Sequence, residues 1–301
     1  MTTSDRKQAV RIIGIPIDLG QQHRGVDMGP VAIRYAGLSA ALKKLGYHTQ
    51  DAGNIDVPGH YTLRHRGFSD RLPPIRAACE ETYELARRAI RDGTIPIFLG
   101  GDHSASIGSI GGVTHDSDCG LIWIDAHGDF NTPETSETGN IHGMALAILY
   151  GKGPQELVDV GRPGAKLKPA QVVLIGPRQL DESEKENLRA SGCTIFTMRD
   201  IDERGMSRVI AQALEKLSDC QHIHVSLDMD SIDPNEAPGV GTPVAGGLSY
   251  REAQLLMETI SDTRRLLSLD IMETNPILDV SNRTAQIAVS LAASLFGKSI
   301  L

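Results

Sequence analysis

The sequence predicts an α/β protein of three layers, in which a mostly parallel central β-sheet has helices on both faces. Short runs of β-branched and apolar residues alternate along the chain with longer amphipathic segments, and this alternation is typical of consecutive βαβ units. The size and composition also fit this class. A chain of 301 residues with 40% hydrophobic content can build one large α/β core.

The apolar runs predict the strands, and the amphipathic segments between them predict the helices. The predicted strands span residues 11–16, 95–99, 121–124, 172–175, 194–197, 223–227 and 266–271. The predicted helices include residues 75–91, 182–190, 207–216 and 250–260. Ser249, with Glu252 three residues later, predicts a capping box at the start of the last of these helices. Because no Ser/Gly-rich linker, low-complexity tract or internal repeat divides the sequence, we predict a single domain over residues 1–301.

The charge and composition argue against two classes of partner. The 30 Lys and Arg residues against 38 Asp and Glu residues give a net charge of −8, which repels phosphate backbones and anionic membrane surfaces. Aromatic residues make up only 4% of the chain, so stacking platforms for single-stranded nucleic acid are not expected. We therefore predict a protein that binds neither nucleic acid nor membranes.

The N-terminus and the cysteines predict a cytoplasmic location. No apolar run is long enough to span a bilayer, and the segment MTTSDRKQAV lacks the apolar stretch of a signal peptide. The four cysteines are widely spaced and form no CxxC pair. This usage argues against a zinc ribbon or a thioredoxin-type site and is typical of a reducing compartment.

Polar clusters directly follow five of the predicted strands. They are IFLGGDHS, LIWIDAHGDFN, VVLIGPRQLDESE, HVSLDMDSIDP and LSLDIMETNP. Ligands bind outside the carboxyl ends of the strands in an open parallel sheet. Five clusters at one edge of one sheet are therefore expected to converge on a single site.

Carboxylates and imidazoles dominate these clusters. Asp125, His127 and Asp129 alternate after an apolar strand, and in extended backbone this spacing points all three side chains the same way. A pair of alternating aspartates and a histidine behind a double glycine follow two other strands. The candidate metal ligands are therefore His103, Asp125, His127, Asp129, Asp228 and Asp230. Four carboxylates and two imidazoles without a thiolate suit Mn²⁺ better than structural Zn²⁺, and so many carboxylates favour two cations over one.

Aspartates at strand ends can also simply cap loops or helix N-termini. For Asp102, which stands beside His103, capping is the favoured interpretation. For the five candidate ligands other than His103, taken together, capping is not the favoured interpretation. Burying that much unpaired negative charge would be prohibitively costly.

Three motifs resemble signatures of the ureohydrolase (arginase–agmatinase) family. They are GGDHS at 100–104, DAHGDFN at 125–131 and SLDMDSIDP at 226–234. The resemblance extends through RGVDMGP at 24–30, ETSETGNIHG at 134–143, GVGTPVAGGLSYRE at 239–252 and METNP at 272–276. These longer strings are most similar to the arginase branch, especially its bacterial members. The resemblance implies an arginase-like fold and hydrolysis of the guanidinium group of L-arginine to L-ornithine and urea.

The family pattern implies how two Mn²⁺ ions would be shared. One ion would be held by His103, Asp125, Asp129 and Asp228, and the other by Asp125, His127, Asp228 and Asp230. Asp125 and Asp228 would therefore bridge the ions. In this family a hydroxide between the ions attacks the guanidinium carbon, because coordination lowers the pKa of water.

The resemblance also implies the catalytic residues. Glu273 in METNP is similar to the glutamate that binds the guanidinium group, and a planar cation suits a carboxylate partner. His142 in NIHG is similar to the histidine proposed to carry protons to the leaving amine. The alternatives are a surface glutamate after a strand and a histidine that caps a helix. With Asp129 these two residues form the predicted catalytic set, and Thr242 in GTP is predicted to support the substrate site.

A polar loop after the DAHGDF segment predicts recognition of the substrate's α-carboxylate. Its hydroxyl and amide donors suit a carboxylate, although such a loop is also typical of solvated turns. By resemblance, the α-carboxylate would be bound by Asn131, Ser136 and Thr138, and the α-amino group by Asp181 and Glu184.

Three other functions stay open on the residues alone. An agmatinase or guanidinobutyrase would share the metal motifs without needing the NTPETSETGN loop, and a deacetylase-like metallohydrolase would share the broad fold without this paired ligand set. A metal-stabilised binding protein would be expected to have a broken ligand position. The predicted partners are L-arginine as a small-molecule substrate and further copies of the chain, because family members form trimers and bacterial ones often hexamers.

Overall fold

The computed structural model describes residues 7–63 and 67–299, and within them eight strands form one sheet in which every paired strand is parallel. The strands are β1 (Val10–Ile15), β2 (Thr49–Asn54), β3 (Ile95–Gly100), β4 (Cys119–Ile124), β5 (Val172–Ile175), β6 (Thr194–Phe196), β7 (His222–Asp228) and β8 (Leu266–Met272). Their order across the sheet is β2-β1-β3-β8-β7-β4-β5-β6. The ends of the predicted domain, residues 1–6 and 300–301, lie outside the described residues.

Eleven α-helices in the same residues pack on the sheet. They are α1 (Gly29–Tyr35), α2 (Leu38–Lys44), α3 (Phe68–Arg91), α4 (Ser106–Val113), α5 (Ala145–Leu149), α6 (Gln155–Val158), α7 (Glu182–Ser191), α8 (Met198–Arg204), α9 (Met206–Lys216), α10 (Tyr250–Asp262) and α11 (Arg283–Leu295). Helices α1, α2 and α8–α11 contribute to one apolar core, and α3–α7 contribute to a second one. The predicted three-layer α/β fold is confirmed.

The central strands are apolar on both faces because each face is covered by helices. Along β4 the side chains alternate between the two cores, so that Ile122 belongs to one and Trp123 to the other. Every residue of β3 and of β4 is buried. Such continuous apolar runs are typical of parallel strands with helices on both sides, which is why these strands were predictable.

The edge strand β2 was not predicted. Its sequence, TQDAGN, is polar and mostly exposed, and it pairs with β1 alone. Charged and polar residues on an edge strand discourage pairing with other chains. The Arg34 side chain from α1 holds β2 through hydrogen bonds to Asp51 at 2.8 and 3.0 Å and to Asn54 at 2.5 Å. Tertiary contacts therefore form a strand that the residue pattern does not indicate.

The starts of two helices can be compared with the prediction. The predicted capping box is confirmed, since Glu252 N donates to Ser249 Oγ at 3.3 Å and Ser249 N donates to Glu252 Oε2 at 2.8 Å. Helix α3 begins earlier than predicted, because Gly67 is its N-cap and the helix continues through Pro73 and Pro74. The residue pattern predicts a start only after these prolines.

Helix α4 was missed because its sequence, SIGSIGGV, is rich in glycine. The glycines allow close packing of α4 on α3. A Cβ atom on Gly108 would lie 2.4 Å from the Cys79 carbonyl oxygen, and one on Gly112 would lie 2.4 Å from the Tyr83 carbonyl oxygen. Within the described residues, no helix combines the length and the apolar character needed to cross a membrane.

Candidate active site

The polar clusters lie at the carboxyl ends of five neighbouring strands. Strands β3, β8, β7, β4 and β5 are adjacent in the sheet. The GGDHS, METNP, SLDMD and DAHGD segments follow the first four, and the segment with Asp181 and Glu184 follows β5. The topology therefore brings residues that are far apart in sequence to one edge.

A first group of potential metal donors surrounds His103. Ligand atoms of His103, Asp125 and Asp129 lie within 4.8 Å of one another. The Nδ1 atom of His103 is 3.1 Å from Asp125 Oδ2, 3.2 Å from Asp129 Oδ2 and 3.0 Å from Asp228 Oδ2. All four side chains are buried. The first predicted ligand set is thus assembled around one imidazole nitrogen.

A second group of donors surrounds His127. Its members are Asp125, His127 and Asp230, and their ligand atoms also lie within 4.8 Å of one another. The Nδ1 atom of His127 is 3.1 Å from Asp230 Oδ2 and 3.5 Å from Asp125 Oδ1. Asp125 belongs to both groups, and Asp228 links them because its Oδ1 accepts a hydrogen bond of 2.7 Å from Asp230 N.

The backbone that presents these residues differs from the prediction. Residues 125–131 are not extended, since the chain bends at Ala126 and His127, and Asp129 has a positive φ of 48°. The bend is held by Arg178 N and Gln179 N, which donate to Ala126 O at 2.8 and 3.1 Å. The DAHGD side chains consequently divide between two donor groups instead of pointing to one side.

The negative charges of the buried aspartates are only partly compensated by neighbouring positive groups. Burial, together with the charge of Asp125, raises the pKa of Asp129 to about 6. Burial and the charges of Asp230 and Asp125 raise the pKa of Asp228 well above its ordinary value. Burial alone would lower the pKa of His103, but the surrounding carboxylates raise it well above the ordinary value. The site therefore attracts positive charge.

These observations fit divalent cations. Asp129 Oδ2 is buried and makes no hydrogen bond within the described part of the chain. The donors are carboxylate oxygens and imidazole nitrogens without a thiolate, a set that suits Mn²⁺ and similar ions. Cations between these carboxylates would compensate the repulsion that raises their pKa values. The residues present thus fit a metal centre.

The predicted ligands are themselves held by buried partners. The indole ring of Trp123 stacks on the His103 imidazole, with ring centroids 4.0 Å apart and an interplanar angle of 12°. Trp123 Nε1 donates to Asp125 Oδ2 at 2.9 Å. Ser226 Oγ lies 2.9 Å from His103 Nε2, so the ring nitrogen that faces away from the carboxylates also has a partner.

Sequence reasoning missed Ser226 and the polar residues behind it. Asp270 Oδ2 accepts hydrogen bonds from Ser106 Oγ at 2.8 Å and Ser109 Oγ at 2.7 Å, and it lies 3.3 Å from His224 Nε2. Ser226 alternates with Asp228 on β7, so both side chains point to one face of the sheet. That alternation was the available signal for Ser226.

His142, which is mostly buried, and the fully buried Glu273 form a pair beside the donor groups. His142 Nδ1 lies 2.8 Å from Glu273 Oε1, which also accepts a hydrogen bond of 2.9 Å from His103 N. Burial alone would lower the pKa of His142, but the charge of Glu273 raises it to about 9. Burial opposes the charge on Glu273, yet the nearby His142 lowers the pKa of this carboxyl. Glu273 is also one of five non-glycine residues with a positive φ in the described part of the chain, with a value of 63°.

Gln21 is a buried partner of Glu273 that sequence reasoning missed. Its Nε2 donates to Glu273 Oε2 at 2.7 Å, and the two residues are 252 positions apart in the sequence. The spacing of the surrounding residues gives no indication of this contact. Asp102, in contrast, has the predicted capping role, because Ser104 N and Gly20 N donate to its carboxylate at 3.0 and 2.7 Å.

A cleft opens next to the donor groups. Its lining brings together several predicted ligands, the predicted proton carrier and most of the predicted substrate residues. They are His127, Asp129, Asp228, Asp230, His142, Asn131, Thr138, Asp181, Glu184 and Thr242. Thr242 Oγ1 donates to Asp230 Oδ2 at 3.0 Å, so it contacts a predicted ligand.

The outer part of the cleft is formed by the polar loop and the start of α7. Asn131 Nδ2 donates to Asp181 Oδ2 at 3.0 Å. Glu184 Oε1 accepts a hydrogen bond of 2.9 Å from Phe130 N, and burial raises the pKa of Glu184 to about 7. Ser136 Oγ lies 3.5 Å from Thr138 Oγ1. Each of these two hydroxyls also accepts a hydrogen bond from the loop backbone, and one of them can donate to the other, which leaves at least one hydroxyl proton for a ligand.

The fold and this site define a class of parallel α/β proteins that carry two carboxylate–imidazole donor groups at the C-terminal edge of the sheet. Residues 8–297 match the model of the family described as "Arginase family". The chain belongs to the arginase family.

Individual relatives share nearly their whole length with this chain. The arginase of Bacillus subtilis (strain 168) is 46% identical over 295 residues, covering 98% of this chain and 99% of the relative. The crystal structure of Bacillus caldovelox arginase superimposes with a TM-score of 0.95 at 45% identity and covers 98% of this chain and 100% of its own. The Entamoeba histolytica arginase in complex with L-ornithine has a TM-score of 0.90 at 31% identity, with 97% and 100% of the two chains covered.

Proposed function

We infer that this protein hydrolyses the guanidinium group of L-arginine to give L-ornithine and urea. It is a hydrolase of the arginase family, and its relatives at 45–47% identity carry the arginase name. The observation that carries the inference is the juxtaposition of the two donor groups, the His142–Glu273 pair and one cleft at the end of the sheet.

Two Mn²⁺ ions are proposed as the cofactors. One would be held by His103, Asp125, Asp129 and Asp228, and the other by Asp125, His127, Asp228 and Asp230. When bound, such ions act as Lewis acids and lower the pKa of water, so that a nucleophile is available near neutral pH. The shared position of Asp125 between the two donor groups supports its proposed bridging role.

Glu273 is proposed to bind the guanidinium group. Its carboxylate is buried, and the charge of His142 favours its ionised form. Each carboxylate oxygen has two lone pairs, so contacts to Gln21, His103 and His142 leave capacity for a planar cation. A guanidinium group at this position would lie beside the donor groups, as hydrolysis requires.

His142 is proposed to deliver a proton to the leaving amine. It lines the cleft, and the Glu273 carboxylate 2.8 Å away raises the pKa of the imidazole and so favours its protonated form. A positioned imidazolium is a suitable general acid for this step. Asp129 completes the proposed catalytic set as a metal ligand next to the cleft.

The polar loop and α7 are proposed to recognise the α-substituents of the substrate. Asn131, Ser136 and Thr138 offer amide and hydroxyl donors to the α-carboxylate, and Asp181 and Glu184 offer acceptors to the α-amino group. Asn131, Thr138 and the two acidic residues line the cleft. Thr242 supports the site through its hydrogen bond to Asp230.

Urea release tests the proposed function. Purified protein is freed of metal with a chelator, reloaded with Mn²⁺ and assayed with L-arginine and, separately, with agmatine. We expect urea and L-ornithine from L-arginine only after Mn²⁺ is added. Equal activity in protein that elemental analysis finds free of metal would refute the proposed cofactor. The absence of urea from the Mn²⁺-loaded protein would refute the proposed reaction.

A homo-oligomer, either a trimer or a hexamer, is proposed for the protein in solution. Large apolar side chains are exposed on α1, at the residue just before it and on the loop after METNP. These side chains are Met28, Val31, Tyr35, Ile277, Leu278 and Val280. Clustered exposed apolar residues are typical of interfaces. Sedimentation analysis that found a monomer at assay concentration would contradict the proposal.

A cytoplasmic location and a role in arginine metabolism are also proposed. The four widely spaced cysteines, which form no CxxC pair, support the location. Fractionation of the source cells, followed by the urea assay on each fraction, tests it. Activity confined to a secreted or membrane fraction would contradict the proposed location.

A further inference from the structure

Gln21 is buried and contacts the oxygen of Glu273 that His142 does not contact. It follows β1 in a segment that is fixed at two points of the site. Gly20 N donates to the Asp102 carboxylate at 2.7 Å, and Gly20 O accepts a hydrogen bond of 3.1 Å from His142 N. The Gln21 side chain is fully buried. The position of Gln21 is therefore set by the contacts that Gly20 makes with Asp102 and with His142, which is a member of the proposed catalytic pair.

The two oxygens of Glu273 have different partners. Oε1 accepts hydrogen bonds from His142 and from the backbone of His103, while Oε2 accepts one from Gln21 Nε2 at 2.7 Å. Contacts to both oxygens fix the rotation of the carboxylate plane. A planar guanidinium group needs a carboxylate in one defined orientation, so the contact with Gln21 bears directly on substrate binding.

The orientation of the Gln21 carboxamide follows from its surroundings. Exchanging its nitrogen and oxygen would bring a carbonyl oxygen against the Glu273 carboxylate, and both groups can only accept. The Oε1 atom is instead directed at the backbone of Gly241, where a Cβ atom would lie 2.7 Å from it. Among the described residues, Gln21 Oε1 has no hydrogen-bond partner.

A buried carboxamide with one unpaired polar atom is not the side chain that stability alone would favour at this position. Native structures seldom leave a buried polar atom without a partner, and such exceptions call for an explanation. An apolar side chain of the same length would avoid the unpaired oxygen. The hydrogen bond to Glu273 is the contact that only the amide provides.

We propose that Gln21 is a positioning residue, which holds the Glu273 carboxylate in the orientation that binds the substrate guanidinium group. The proposal rests on the proposed function, because it assigns Glu273 to the guanidinium group. Gln21 acts through Glu273 and not on the α-substituents, since Asn131 and Asp181 follow the more distant strands β4 and β5. Loss of Gln21 should therefore affect guanidinium recognition selectively.

The test compares Gln21→Met with Gln22→Met in the Mn²⁺-loaded, full-length protein. Methionine keeps the length of glutamine but cannot donate, and Gln22 is exposed next in the chain, so it is a matched control. We expect kcat/KM for L-arginine to fall about 10- to 100-fold in Gln21→Met, as for a lost hydrogen bond to a charged group. Gln22→Met should stay within about twofold of the wild-type value.

Binding of L-norleucine separates positioning from general damage. This amino acid has the α-amino and α-carboxylate groups of the substrate on an uncharged side chain. Its dissociation constant, measured by calorimetry, should change less than about twofold in Gln21→Met, because the guanidinium subsite is not used. Metal content, measured by elemental analysis, should match the wild type.

Three outcomes are decisive. Wild-type kcat/KM in Gln21→Met would overturn the proposal, and so would a parallel loss of L-arginine turnover and L-norleucine binding, which indicates a collapsed site. A wild-type protein that releases no urea from L-arginine would instead refute the proposed function, which distinguishes the two failures.

Discussion

His142 Nδ1 lies 2.8 Å from Glu273 Oε1, so the proposed proton donor and the proposed guanidinium ligand share a hydrogen bond. Both side chains are shielded from solvent, with exposed fractions of 12% for His142 and 1% for Glu273. The Glu273 carboxylate, and not the burial, favours the charged imidazole, and the hydrogen bond directs its ring. With the roles proposed for the two residues, this geometry would couple substrate binding to proton delivery.

Replacing His142 should slow turnover without removing metal. In His142→Asn we expect kcat for L-arginine to fall by about 10²- to 10⁴-fold, the range for a general acid–base residue. Metal content should be unchanged, because His142 belongs to neither donor group. His23, an exposed histidine, provides the control His23→Asn. Wild-type turnover in His142→Asn would return this residue to a capping role.

Replacing single predicted ligands should affect the occupancies of the two proposed ions differently. Asp125 is shared by both donor groups, so Asp125→Ala should lower the occupancy of both. His103→Ala and His127→Ala should each weaken one ion much more than the other, since each histidine belongs to one group. Titration of metal-free protein with Mn²⁺, followed by elemental analysis after dialysis, measures this. Equal stoichiometry in all three variants would contradict the shared role of Asp125.

Ser226 should tune the metal centre through His103. Removing its contact to His103 Nε2, as in Ser226→Ala, leaves the imidazole less well oriented. Loss of such an outer partner typically lowers metal affinity by about 10- to 100-fold. Competition between the protein and a chelating dye measures the affinity, and Ser218→Ala at an exposed position is the control. Identical Mn²⁺ affinity in the two variants would show that Ser226 is not needed to orient the ligand.

Much of the fold was predictable because its central strands are buried on both sides. Runs such as those of β3 and β4 consist almost wholly of apolar residues, and the chain continues from each into a polar cluster. Strand β2 was not predictable, because its polar sequence forms a strand only through pairing with β1 and contacts to Arg34. The sequence of β2 itself does not indicate these partners.

The same distinction holds within the site. The candidate ligands stand in short motifs, so their residue types and spacing are enough to indicate metal chemistry. Gln21 and Glu273 are 252 residues apart, and neither the type nor the spacing of Gln21 indicates a partner. The bend at Ala126 and His127 was also unpredictable, because residues after β5 hold it. Long-range packing thus decides the contacts that motifs leave undefined.

L-Arginine should be strongly preferred over agmatine, which lacks only the α-carboxylate. Agmatine would leave the donors of Asn131, Ser136 and Thr138 without their partner. A site that binds a polar group of its substrate can discriminate against an analogue lacking that group by up to about 10⁴- to 10⁵-fold in kcat/KM. Thr138 is exposed and its hydroxyl can bind water instead. We therefore expect a ratio of kcat/KM values of roughly 10²- to 10⁴-fold, equivalent to a few hydrogen bonds of about 1–3 kcal/mol each.

A double variant tests the origin of this preference. Asn131 Nδ2 donates to Asp181 Oδ2 at 3.0 Å, so the proposed carboxylate and amine contacts are linked in one structure. Asn131→Ala combined with Asp181→Ala should reduce kcat/KM for L-arginine far more than for agmatine and so narrow the ratio. Glu182→Gln removes an exposed carboxylate next to Asp181 and is the matched control. If the wild-type protein hydrolysed agmatine as efficiently as L-arginine, the proposed roles of the polar loop would be wrong, while the metal centre and the urea-forming chemistry would still stand.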